Sequence, residues 1–258
     1  MTGYTTQNQT APARKPLTLE RSAYYCALIS SGLAIVYLLT EFARSEVGSS
    51  DLTLSMIQCV LGAVVLHVPM ALKRWARIEL PGALNAAYYI FIIGATVLGE
   101  VCEIYYLIPC WDDILHLSSG AMCGMLGGIL TVTFLQKKDC QKLISPMLVS
   151  VIAVGFALCI GVFWEMYEFI GDSLMGLNMQ KFLLQDGSAL VGQAALMDTM
   201  KDLIVDMLGA LIAAISAHRS IKYEQGWLHA YQTTSSQDGL RTNRHSDNRE
   251  EEVLQQSA

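Results

Sequence analysis

What is scarce in this 258-residue chain narrows its identity first. Asp, Glu, Lys and Arg together make up 16% of residues, whereas 53% are hydrophobic. The mean hydropathy of +0.38 lies on the membrane side of ordinary soluble domains. Basic charge is scarcer than acidic, 17 Lys and Arg against 23 Asp and Glu for a net charge of −6, so nucleic acid is not an expected partner. The seven cysteines include no CxxC pair and no regular framework spacing, so no disulfide scaffold or zinc ribbon is indicated. Most lie in apolar stretches, where cysteine acts as a small hydrophobe; Cys102 and Cys110 are the pair placed to bridge outside a membrane. No GxSxG, phosphate loop or HExxH occurs, so the common hydrolase and nucleotide-binding signatures are missing.

What is present is a series of long apolar runs. Six of them, at 22–40, 52–72, 83–105, 111–135, 147–170 and 198–217, approach the ~20 residues a helix needs to cross the bilayer. They are continuous rather than alternating, which predicts helices, and helices satisfy their own backbone hydrogen bonds in lipid. The expected fold is all-α: a polytopic bundle of six transmembrane helices over 22–217. A polar tail (1–21) precedes it, and a polar tail (218–258), disordered beyond about 230, follows. The long polar lead before the first run fits an uncleaved signal anchor better than a cleaved signal peptide. Glycines within the fourth run (Gly120, Gly124, Gly127, Gly128) predict close helix packing. The loop at 173–197 is long and partly apolar, which predicts an interfacial helix or a cap.

Lysine and arginine set the orientation. One set of flanks carries Arg14, Lys15 and Arg21; Lys73, Arg74 and Arg77; Lys137, Lys138 and Lys142; Arg219 and Lys222. The other carries only Arg44, Lys181 and Lys201. Both termini are therefore expected in the cytoplasm, with Trp227 and Tyr231 at the inner interface.

The last three runs hold an unusual number of acids. Asp112, Asp113 and His116 open the fourth; Glu165, Glu168 and Asp172 close the fifth; Asp198, Asp202 and Asp206 begin the sixth. Helical spacing makes stripes of Glu165–Glu168–Asp172 and of Asp198–Asp202–Asp206, and puts His116 on a face with Asp112 or Asp113. All three charged ends fall on the outer side. A carboxylate at mid-membrane costs roughly 2.5–3.5 kcal/mol even on the lenient insertion scale, so the deeper groups need partners. Near the interface the cost falls, and Asp112, Asp113, Asp172 and Asp198 are equally readable as wet end-caps, with Asp198 as a helix N-cap. Eight carboxylates against Lys201 alone leave about seven negative charges that cannot all stay ionised together. A bound divalent cation of the Mg²⁺, Mn²⁺, Ca²⁺, Zn²⁺ or Fe²⁺ kind, held within the set Asp112, Asp113, His116, Glu165, Glu168, Asp198, Asp202 and Asp206, is the favoured expectation. Shared protons or structural hydrogen bonding are the alternatives. Glu100 and Glu103 are expected to face water, and His67 lies apart from the cluster.

The strings WDDILHLSSG (111–120), GVFWEMYEFIGD (161–172) and DTMKDLIVDMLGA (198–210) resemble the YjdF-like family of bacterial multi-pass membrane proteins of unknown function. That family has a similar order of Asp/His element, paired glutamates, and spaced aspartates before Gly-Ala. The resemblance implies a bacterial plasma-membrane location and the grouping of these motifs, and it implies no activity. Three functions remain open at this stage. One is a metal-dependent hydrolase or transferase acting on a lipid-linked, envelope or small-molecule substrate. The others are a proton- or cation-coupled transporter, and a non-catalytic membrane scaffold.

Overall fold

The computed structural model describes residues 18–44, 50–138, 140–184 and 186–234. Six long helical elements follow one another: α1 (Leu19–Arg44), α2 (Ser50–Val65, continued by Val68–Ala71 and Leu72–Ala76), α3 (Gly82–Ile92, continued by the wider turns Ile93–Val101), α4 (Trp111–Lys137), α5 (Pro146–Met175) and α6 (Gln193–Lys222). No strand occurs among the described residues, only one isolated antiparallel bridge between Leu183 and Ala189. Among the described residues, five stretches, Leu19–Arg44, Leu52–Ala76, Gly82–Val101, Trp111–Lys137 and Pro146–Met175, are long and apolar enough to cross a membrane. The fragment α6 is equally long, but its first half carries Asp198, Lys201, Asp202 and Asp206 and it is not among the five. The expectations for residues 1–17 and 235–258 fall outside the described residues.

The second run is not the single helix expected over 52–72. Pro69 has no N–H to give to the carbonyl of Val65, one turn back, and the chain turns at Leu66–His67. The freed Val65 carbonyl is taken instead by the Tyr88 hydroxyl at 2.6 Å, which fastens the break to α3. The turns at Ile93–Val101 are likewise wider than an α-helix. There the Gly94 carbonyl accepts the Trp111 indole N–H at 3.1 Å, a bond that links α3 to the start of α4.

Helices α1–α3 form one unit and α4–α6 a second, tighter one; α3 against α4 is the main contact between them. Small residues let α4 and α6 approach to backbone contact, as close packing in lipid requires. A Cβ on Gly120 would collide with the backbone of Asp206, and one on Gly209 with the backbone of Leu117 and Ala121. The far end of this unit is sealed by Ile129, Val132, Val149, Ala217 and Leu228, all fully buried.

The second connection, the fourth connection and the segment after α6 meet at one end. The Lys137 ammonium donates to the Ala76 carbonyl at 2.7 Å, so the second and fourth connections share one end. The segment after α6 is there too: the Tyr231 hydroxyl lies 3.0 Å from Thr133 Oγ1, and the Trp227 indole donates to Ser216 Oγ at 3.0 Å. All seven cysteines are free, Cys102 and Cys110 among them and both exposed, so the bridge considered above does not form.

Candidate metal centre

The opposite end of the α4–α6 unit gathers the acids. Pro146 in the first turn of α5 and the Ser145 hydroxyl, which accepts from the Leu148 N–H at 3.2 Å, start that helix. Thirty residues later Gly176, in the left-handed region at φ +68°, ends it as glycine does after a last helical turn. Glu165, Glu168 and Asp172 thereby come to one end of α5, beside the first turns of α4 and α6.

His116 stands at the centre. It is buried, and its Nδ1 lies 3.3 Å from Asp206 Oδ2. An ionised carboxylate only accepts, so this contact assigns a proton to Nδ1. The other oxygen of Asp206 accepts from the Ser119 hydroxyl at 2.9 Å. A Cβ on Gly161 of α5 would run into Asp206 Oδ2, so a glycine there makes room for the carboxylate. With Nδ1 engaged, Nε2 faces Asp112 Oδ1 at 3.8 Å and Asp202 Oδ2 at 3.9 Å. Asp112, His116 and Asp202 each present one ligand atom, all within 4.8 Å of one another. Asp202 is only 2% exposed, and its Oδ1 has no hydrogen-bond partner. A buried carboxylate oxygen left that way is costly unless something fills the place beside it.

The remaining acids have other company. Asp113 pairs with Lys201 at 2.6 Å, so of the two adjacent aspartates it is Asp112 that turns toward His116. Glu168 accepts from the Trp164 indole of its own helix at 2.8 Å. Glu165 is buried and takes the Gln180 amide at 3.1 Å on Oε2, while its Oε1 has no partner. Asp172 accepts the backbone N–H groups of Met179 and Gln180 at 2.7 and 3.0 Å. Glu100 is half-buried with Ser55 Oγ 3.5 Å away, whereas Glu103 is exposed.

Three expectations are corrected. Helix α6 begins at Gln193 with Gly192 as its cap, so Asp198 lies inside the helix and is not its N-cap. The connection shortens to 176–192, which holds no interfacial helix among its described residues; it folds over the acidic end as a cap. Lys201 is not the sole cation near the cluster. Lys181 of the cap reaches both Asp112 Oδ2 and, at 2.8 Å, Asp198 Oδ1. The shortfall inferred from eight acids and one lysine was therefore too large, because a loop residue 69 positions from Asp112 was not counted. The Lys181 stem is half-exposed although its ammonium sits among carboxylates. Burial acts to lower its pKa, but Asp112 and Asp198 outweigh that and hold it above the usual lysine value.

Sequence reading missed Gln180, Lys181, Ser119 and Thr199. Gln180 also donates to Thr199 Oγ1 at 2.8 Å. Only Ser119 carried a readable signal, since it stands three residues beyond His116 on the same face of α4.

No curated protein and no solved structure matches the chain. A family described as "Predicted membrane protein (DUF2238)" matches residues 27–223, a stretch that includes α2–α6, the cap and the whole acidic end. The chain belongs to this DUF2238 family of predicted membrane proteins.

Proposed function

We propose that the chain is a six-span plasma-membrane protein that binds one divalent cation between Asp112, His116 and Asp202 at its extracytoplasmic end. The observation that carries this reading is the imidazole held from behind by Asp206 while its free nitrogen faces the half-buried carboxylate of Asp112 and the buried one of Asp202. Metal-bound histidines ordinarily hand their second N–H to a carboxylate in this way. Sides of 3.8 and 3.9 Å, with the ligand atoms all within 4.8 Å of one another, put the centre of the triangle at most about 2.5 Å from each corner. That is close to the lengths of bonds from nitrogen and oxygen to Zn²⁺, Mg²⁺ or Ca²⁺. Small inward shifts of the side chains complete the fit.

In this reading α6 is the sixth span. Its acids turn to α4 and α5, with Asp202 and Asp206 buried, so lipid meets its apolar side and the insertion cost is moderated. The lysine and arginine distribution puts both termini in the cytoplasm. The order of motifs still favours the YjdF-like grouping within bacteria.

An ion held by Asp112, His116 and Asp202 and reached from the outer face would supply a Lewis acid, which would suit hydrolysis or group transfer on a lipid-linked or envelope substrate. Transport is less well supported, because apolar residues fill the inner half of the α4–α6 unit. The test is metal content and thermal stability of the detergent-purified protein. Chelator should lower the melting temperature of the wild type, and Asp202→Ala should abolish that sensitivity while Asp186→Ala leaves it intact. A wild type without stoichiometric metal and indifferent to chelator would favour an imidazolium shared among Asp112, Asp202 and Asp206 as the structural core of the end.

A further inference from the structure

We propose that Lys181 is a built-in second cation of this centre, standing where a second divalent ion would otherwise bridge Asp112 and Asp198, so that the cluster accepts one exchangeable ion rather than two. The inference rests on the metal reading above. Asp112 divides its two oxygens: Oδ1 faces His116 Nε2 and Oδ2 takes the Lys181 ammonium, which also reaches Asp198 Oδ1 at 2.8 Å. A carboxylate shared between two cations in this manner is the pattern of a two-metal site, here with nitrogen in one position.

The ammonium is delivered by a fixed backbone. Met179 and Gln180 give their N–H groups to Asp172, and the Gln180 side chain joins Glu165 to Thr199. Lys181 itself adopts φ +49°, a left-handed conformation that a non-glycine residue seldom takes. Three consecutive residues thus grip α4, α5 and α6, and the third carries the charge.

Charge balance favours the same arrangement. Asp112, Asp198, Asp202 and Asp206 offer four carboxylates; two divalent ions alone would match them, whereas two divalent ions plus the ammonium would exceed them, so Lys181 leaves room for one ion. Asp202 Oδ1 and Asp198 Oδ2 are buried atoms without a hydrogen-bond partner, so each of these carboxylates keeps one oxygen available as a ligand.

Mn²⁺ titration followed by metal analysis and electron paramagnetic resonance tests this. Wild type in saturating Mn²⁺ should hold one ion per chain with an uncoupled six-line spectrum. Lys181→Met should hold two, with an exchange-broadened spectrum. Lys181→Arg should remain at one, and Lys181→Met with Asp198→Asn should return to one. Two ions in the wild type would overturn the proposal whether or not any variant folds. One ion in folded Lys181→Met would overturn it while leaving the metal site standing. No ion in either protein would overturn both.

Discussion

His116 and Asp206, 90 residues apart in sequence, meet at 3.3 Å through Nδ1 and Oδ2, and that contact points Nε2 at Asp112 and Asp202. If the pair serves to aim a metal ligand, Asp206→Asn should weaken Mn²⁺ binding roughly 10–100-fold and leave the helical circular dichroism unchanged. Asp202→Asn should remove binding, and Asp113→Asn should leave it near wild type, because Asp113 pairs with Lys201. Equal loss in all three variants would contradict the assignment.

The backbone contact of α4 and α6 sets the distance between His116 and Asp202. Gly120→Ala should therefore cost about 1–3 kcal/mol through overpacking, because its Cβ meets the Asp206 backbone. It should also lower Mn²⁺ affinity without touching a ligand. Gly155, where a Cβ meets nothing, supplies the control: Gly155→Ala should leave affinity unchanged. Thermal unfolding and Mn²⁺ titration of both variants check this.

The cap should keep its lysine tether across physiological pH. Lys181 titrates above its ordinary value because Asp112 and Asp198 outweigh its burial. A raised pKa means its contribution is complete below the unfolded value, ~10.4, and is lost only as pH rises through the elevated folded value. Hydrogen-exchange protection factors of the Met179 and Gln180 amides should stay level between about pH 6 and 9, and Lys181→Met should reduce them at every pH in that range. A steep fall in the wild type below pH 9 would contradict the tether.

Much of this end was legible in the sequence and part was not. The boundaries of α4 fell within a few residues of the apolar run, and the spacing put His116 on a face with Asp112 or Asp113, a choice that only the pairing of Asp113 with Lys201 resolves. Asp202 and Asp206 were correctly put on one face, but their depths were not separable: one turn of helix decides whether an acid sits in front of the imidazole or behind it. The break at Leu66–His67 had its cause in plain view at Pro69, and a hydropathy average hides it. Lys181 and Gln180 were invisible as site residues, since their positions depend on how an irregular loop folds back, and no periodicity encodes that.

Topology is open to a direct check. Reporter fusions at Lys138 and beyond Tyr231 should read as cytoplasmic, and one at Asp186 as external. An external signal at Lys138 would move the acidic end to the other face and remove the case for an extracytoplasmic substrate.

The most direct measurement is an anomalous difference map from crystals grown with Mn²⁺. The metal reading predicts one peak per chain within bonding distance of His116 Nε2 and of one oxygen each from Asp112 and Asp202, with Asp206 on Nδ1 and Lys181 still on Asp112. No peak there, with His116 Nε2 hydrogen-bonded straight to the carboxylates, would contradict it.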